Sequence, residues 1–169
     1  LLASADVFIQ SWRPGVAARL GVGYDAVHAR LPGLVYASIS GFGTDGPHRD
    51  LAGYEALVHA RVGVMGEQVG HRTGPIYEAL PFGSIGAAYL ALIGVLGALH
   101  RRHQDGVGRH VETSLVDGVL AYLSMMWGDR DDAEARPVLG VGAGRLIART
   151  FRCANDEYLG VHTAAVGAF

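Results

Sequence analysis

The sequence predicts an α/β fold: a parallel sheet with helices on its faces, followed by the start of a smaller domain. Three observations predict it. Two short runs rich in β-formers, Asp6-Val-Phe-Ile-Gln10 and Leu34-Val-Tyr-Ala-Ser-Ile-Ser40, bracket two segments of helical spacing, the strand-helix-strand order that a parallel pair needs. A long apolar run then ends in arginine and histidine, as a buried helix does at its negative pole. Near the end, two apolar runs flank Ala154-Asn-Asp-Glu157, as in a hairpin.

In chain order, residues 6–10 form the first expected strand, residues 16–20 and 24–31 two helices, and residues 34–40 the second strand. A glycine-rich loop follows, then a helix over 54–64 and a longer one over 86–102. Asp105-Gly106 signals a turn, residues 110–113 a third strand, and 114–127 a helix whose Leu115, Val119, Tyr122, Leu123 and Met126 share a face. Asp129-Arg-Asp-Asp-Ala-Glu134, Pro137 and a run of glycines mark a boundary. This divides the chain into 1–128 (part of a large domain), 129–144 (linker) and 145–169 (the truncated start of a small domain). Both chain ends read as continuing into further structure.

Composition excludes several partners. A net charge of -2 gives no field to draw a phosphate backbone or anionic lipid, so nucleic acid and membrane surfaces are not expected. All 14 basic residues are arginine, whose planar fork suits phosphate. The single cysteine, Cys153, excludes an internal disulfide and suits a reducing cytoplasm. Residues 85–99, the longest apolar run, are too few for a bilayer, which needs about 20.

Local motifs each carry two readings. Gly41-Phe-Gly-Thr-Asp-Gly46 matches a dinucleotide fingerprint, but Pro47-His-Arg-Asp50 shows no helical periodicity, so a loop needing positive φ angles is the expectation over an NAD site. Ser84, in Gly83-Ser-Ile-Gly86, approaches nucleophile-elbow spacing and is expected instead to cap the long helix. His100 and His103 are one turn apart with no third ligand spaced to join them, and His59 reads as a packed polar side chain; no metal is expected. Ser11-Trp-Arg-Pro-Gly15 follows the first strand, where parallel sheets bind ligands. With Arg19 it reads either as a phosphate-gripping loop or as a capped helix with surface arginines.

Several segments in consecutive order resemble family III coenzyme A transferases, the carnitine-dehydratase and bile-acid-inducible group. They are Ala5 through Gly15, Leu34 through Gly43 with Gly46-Pro47, Gly53-Tyr-Glu55, Gly86-Ala-Ala88 through Leu99, Gly106-Val-Gly-Arg109, and Val111-Glu-Thr-Ser-Leu-Val-Asp117. The resemblance implies a Rossmann-like large domain with a parallel sheet and flanking helices, and the start of a smaller α+β domain, in an interlocked dimer: a homodimer, or a heteromer with a catalytic partner. It also implies CoA or acyl-CoA and a small carboxylic acid as substrates, with no permanently bound cofactor. By similarity, Ser11, Trp12, Arg13, Arg19 and Leu20 would hold the CoA nucleotide, Tyr54 and Glu55 would lie near the acyl end, and Leu115 would border the pantetheine channel.

In that family an aspartate before the long helix attacks the thioester, giving a mixed anhydride and then an aspartyl-CoA. Here the corresponding stretch, Leu80-Pro-Phe-Gly-Ser-Ile-Gly86, contains no acid: Gly83 or Ser84 stands at the position, and Glu78 is the carboxylate nearest in sequence. The expectation is a CoA-binding chain whose catalytic carboxylate lies elsewhere, in a partner or a tandem copy. A structural or regulatory subunit and a racemase-like enzyme are the alternatives. The racemase's histidine position falls on Tyr54, a poor base at neutral pH with an ordinary pKa of about 10.

Overall fold

The computed structural model describes residues 1–67, 74–123 and 148–162. After a 3-10 turn at Leu2–Ser4 come β1 (Val7–Gln10), α1 (Val16–Arg19), α2 (Tyr24–Arg30), β2 (Val35–Ser40), α3 (Glu55–Val62) and α4 (Val64–Glu67). Then follow α5 (Phe82–Asp105), β3 (His110–Ser114), α6 (Leu115–Leu123), β4 (Ala148–Arg152) and β5 (Tyr158–His162). The chain divides into two compact units, one of residues 1–65 and 77–125, the other of 66–76 and 126–169.

In the first unit the strands form one sheet in the order β1-β2-β3, parallel throughout. Val7 pairs with Val35 and Tyr36 with His110, which fixes the register and brings the C-terminal ends of all three strands to one rim. Alternation along β2 sorts the two faces. Val35 and Ala37 pack on Val95 and Ala98 of α5, while Tyr36 packs with Val27 of α2 and Leu34. The Tyr36 hydroxyl is satisfied by the Val22 carbonyl at 2.8 Å, so a buried phenol costs little there.

α5 is the organising helix. It runs 24 residues, four further at its start than the expected 86, because Pro81 takes the N-cap position and Phe82 already makes helical bonds. It ends at Gly106, whose φ of 74° closes the last turn on the Arg102 carbonyl. Arg102 then ties the end down, donating to the Asp6 carboxylate at 2.9 Å and the Gly33 carbonyl at 3.2 Å. Among the described residues α5 is the one helix long and apolar enough to cross a membrane, with a mean hydropathy of 1.9 over its most apolar 18 residues. Its buried stripe of Gly86, Ala87, Ala91, Val95 and Ala98 faces the sheet and α6.

The glycine loop after β2 takes positive φ at Gly43 (88°) and Gly46 (87°) and starts no helix, as expected of a loop and not of a dinucleotide site. In the second unit β4 and β5 pair antiparallel, with Phe151 opposite Leu159. Their turn is closed by the Cys153 amide donating to the Glu157 carbonyl at 2.8 Å. Cys153 is free and exposed in that turn. The expected linker 129–144, and Met126 of the last expected helix, lie outside the described residues.

Candidate functional site

The rim of the sheet holds a cavity of about 470 Å³. Each strand delivers one wall. β1 leads into Ser11, Trp12, Arg13 and Pro14, β2 into Ser40 and Gly41, and β3 into Leu115, with Ser84 from α5 closing the side. Trp12 is held by its own strand, since its amide donates to Gln10 Oε1 at 2.8 Å, and Gln10 donates in turn to Ser38 at 3.0 Å. Arg13 and Arg49 also line an adjoining cavity of about 240 Å³ on the α1 side, so both residues border two spaces.

Tyr54 reaches the rim through a close backbone approach. A Cβ on Gly41 would lie 2.3 Å from the Gly53 Cα, so only glycine at both positions lets the 51–54 segment pass over the end of β2. Tyr54 then starts α3 and lines the cavity, largely exposed. Of the residues expected from sequence, Ser11, Trp12, Arg13, Tyr54 and Leu115 therefore line one space, joined by Ser84. Arg19 and Leu20 sit at the C-terminal end of α1 and line neither cavity; Leu20 is exposed. Glu78 lines neither cavity either.

Glu55 is placed behind the cavity wall. Its Oε1 accepts from the Gly83 amide at 2.5 Å, and its Oε2 accepts from the Ser84 amide at 3.1 Å and the Ser84 hydroxyl at 2.6 Å. A carboxylate on the first turn of α5 meets two otherwise orphaned N–H groups and the positive end of the helix dipole. This corrects the expectation that Ser84 caps α5. The helix starts before it, the Glu55 carboxylate takes the capping role, and the serine hydroxyl donates into that carboxylate.

Behind Glu55 lies His59, one turn along α3 and buried, its Nε2 2.9 Å from Oε1. That contact is close but poorly aligned for a hydrogen bond. The ring packs between Phe82 and Tyr77, in keeping with the packed polar role expected of it. His100 and His103 are exposed at the end of α5, and no group of three metal-binding side chains occurs among the described residues.

Sequence reasoning missed Arg49, Ser40 and the Glu55–Ser84 contact. No local signal announces the last, because the two residues are 29 positions apart and meet only through the packing of α3 on α5.

The model of CoA-transferase family III matches residues 1–168. The chain belongs to CoA-transferase family III. It is 34% identical over 126 residues to the succinyl-CoA–D-citramalate CoA-transferase of Chloroflexus aurantiacus, a match covering 75% of this chain and 31% of that protein. To the acetyl-CoA:oxalate CoA-transferase of Acetobacter aceti it is 34% identical over 141 residues, covering 80% and 36%. Among solved structures, a CAIB/BAIF family protein from Brucella suis superposes with a TM-score of 0.66 at 31% identity, covering 73% of this chain and 34% of that one. The chain thus spans about a third of the length of these relatives.

Proposed function

We propose that this chain carries the CoA-binding rim of a CoA-transferase that moves CoA between an acyl-CoA and a carboxylic acid, with CoA as substrate and no resident cofactor. The observation that carries the reading is the gathering of Ser11, Trp12, Arg13, Tyr54, Ser84 and Leu115 around one cavity at the C-terminal rim of a parallel sheet. Two guanidinium forks beside an aromatic face and an apolar wall suit a phosphorylated adenosine with a pantetheine arm. Arg19 and Leu20 belong to the reading as outer contacts of the nucleotide, beyond the cavity itself.

Among the described residues no carboxylate lines the cavity, and Glu55 is engaged with the start of α5. In this reading the nucleophilic aspartate of the transfer reaction comes from a tandem copy or from the partner subunit of a heteromer. In this reading residues 1–128 are part of the large domain and 145–169 open the small one. A soluble substrate and one unpaired cysteine fit the cytoplasm.

Calorimetric titration of the full chain with CoA and with NAD tests the reading. CoA is expected to bind and NAD not, and Arg13→Ala should weaken CoA about 10- to 100-fold, the loss of one charge-assisted contact of roughly 1.5–3 kcal/mol. Binding of NAD alone, or of neither, overturns it. Without a partner the chain should show no acyl-CoA-to-carboxylate transfer; turnover that survives Glu78→Ala would mean the carboxylate lies elsewhere in this chain.

A further inference from the structure

By resemblance, Gly83 or Ser84 stands where the transfer reaction calls for an acid, and the surroundings of Ser84 are those of a reactive hydroxyl. It is exposed on the cavity wall, it sits in the first turn of a 24-residue helix, and its Oγ donates to Glu55 Oε2 at 2.6 Å. Glu55 cannot swing away freely. The Gly83 amide holds Oε1 and the Ser84 amide holds Oε2, and its side chain is 13% exposed. The second oxygen is thereby aimed at the one hydroxyl that faces the cavity from α5.

We propose that Ser84 accepts the acyl group of an acyl-CoA, with Glu55 as general base, so that this chain hydrolyses acyl-CoA thioesters instead of exchanging CoA at this position. The proposal rests on the CoA-binding reading. In the first step Ser84 Oγ attacks the thioester carbonyl carbon as its proton passes to Glu55 Oε2. The C–S bond breaks, and the departing thiolate takes the proton from Glu55, leaving free CoA and an acyl ester on Ser84. In the second step water attacks that ester while giving a proton to Glu55. The Ser84 C–O bond to the acyl carbon breaks, the serine oxygen recovers the proton, and the carboxylic acid leaves. The sum is acyl-CoA plus water to carboxylic acid plus CoA.

Two features favour the oxygen at this place. The positive end of the α5 dipole stabilises negative charge developing on Oγ and on the tetrahedral carbon's oxygen. A serine ester, unlike an aspartyl anhydride, cannot pass CoA to a second acid, so water is the acceptor that completes the cycle. The oxygen ester is less electrophilic than the thioester, so the acyl-serine is the species that builds up.

Acetyl-CoA given to the full chain tests this, with CoA affinity measured on the same preparation. The expected result is release of free thiol and an acetyl increment on the peptide containing Ser84, both abolished in Ser84→Ala. Ser84→Cys should still capture the acetyl group, and Glu55→Gln should slow thiol release by about 100-fold. Retained CoA binding with no thiol release above background, or with release equal in Ser84→Ala, overturns the proposal and leaves the CoA reading intact. Loss of CoA binding in the parent chain overturns both.

Discussion

His110 shows how one partly buried ring couples the sheet to solution pH. Its Nε2 lies 2.8 Å from the Ser38 hydroxyl, Tyr24 stacks on it at 4.5 Å, and Tyr36 meets it edge-on. Burial lowers its pKa, and Glu112 at 3.8 Å together with Asp25 on α2 offsets only part of that effect. In the unfolded chain the ring titrates near its ordinary value of about 6.5 and so holds more protons than the folded ring in weak acid. Stability is therefore full above that value and falls as the pH drops below it toward the folded pKa. Urea midpoints measured from about pH 8 down to pH 5 should show this slope. His110→Gln, which keeps a partner for Ser38, should flatten it; an unchanged slope would assign the acid sensitivity to other groups. Neither this cluster nor the Glu55–Ser84 pair was legible in the sequence. Ser38 and His110 are 72 positions apart, and only the parallel register joins them.

At the scale of elements, periodicity carried most of the reading. The three strands and the order of helices around them follow from alternation and helical spacing, because one buried face writes a pattern into consecutive residues. The start of α5 did not follow, since Phe82 to Ile85 precede the steady apolar stripe and the helix is held there by Glu55 from another element. The contact of α5 with α6 was hidden for a related reason: it is made by absent side chains. A Cβ on Gly86 would come within 2.4 Å of the Gly118 carbonyl oxygen and 2.6 Å of its Cα. Gly86→Ala should then destabilise the chain by about 1–3 kcal/mol as the helices are forced apart. Gly97, in the same helix with open space where its Cβ would stand, gives the opposite sign. Gly97→Ala should stabilise by about 0.5–1 kcal/mol through helix propensity alone. Denaturant midpoints of the two variants separate close packing from propensity, and a shift of the same sign in both would refute the assigned contact.

Across the whole molecule, the balance of charge and apolar surface sets how the chain behaves in solution. A net charge of -2 gives weak mutual repulsion, while α5 turns Tyr89, Leu92, Ile93 and Leu96 outward, with Ile93 67% exposed. Their spacing of three and four residues places them in one stripe, opposite the face that covers the sheet. Contiguous apolar surface of this kind draws hydrophobic probes, and scattered single residues do not. The chain should therefore brighten an environment-sensitive hydrophobic dye while still unfolding cooperatively, which distinguishes a native exposed stripe from a loosened core. Ile93→Lys combined with Leu96→Lys should remove most of that fluorescence. Because both side chains already face water, the pair should move the unfolding midpoint by no more than about 0.5 kcal/mol per site. Fluorescence that persists in the double variant would place the dye elsewhere, and a large loss of stability would mean that these side chains are buried in solution.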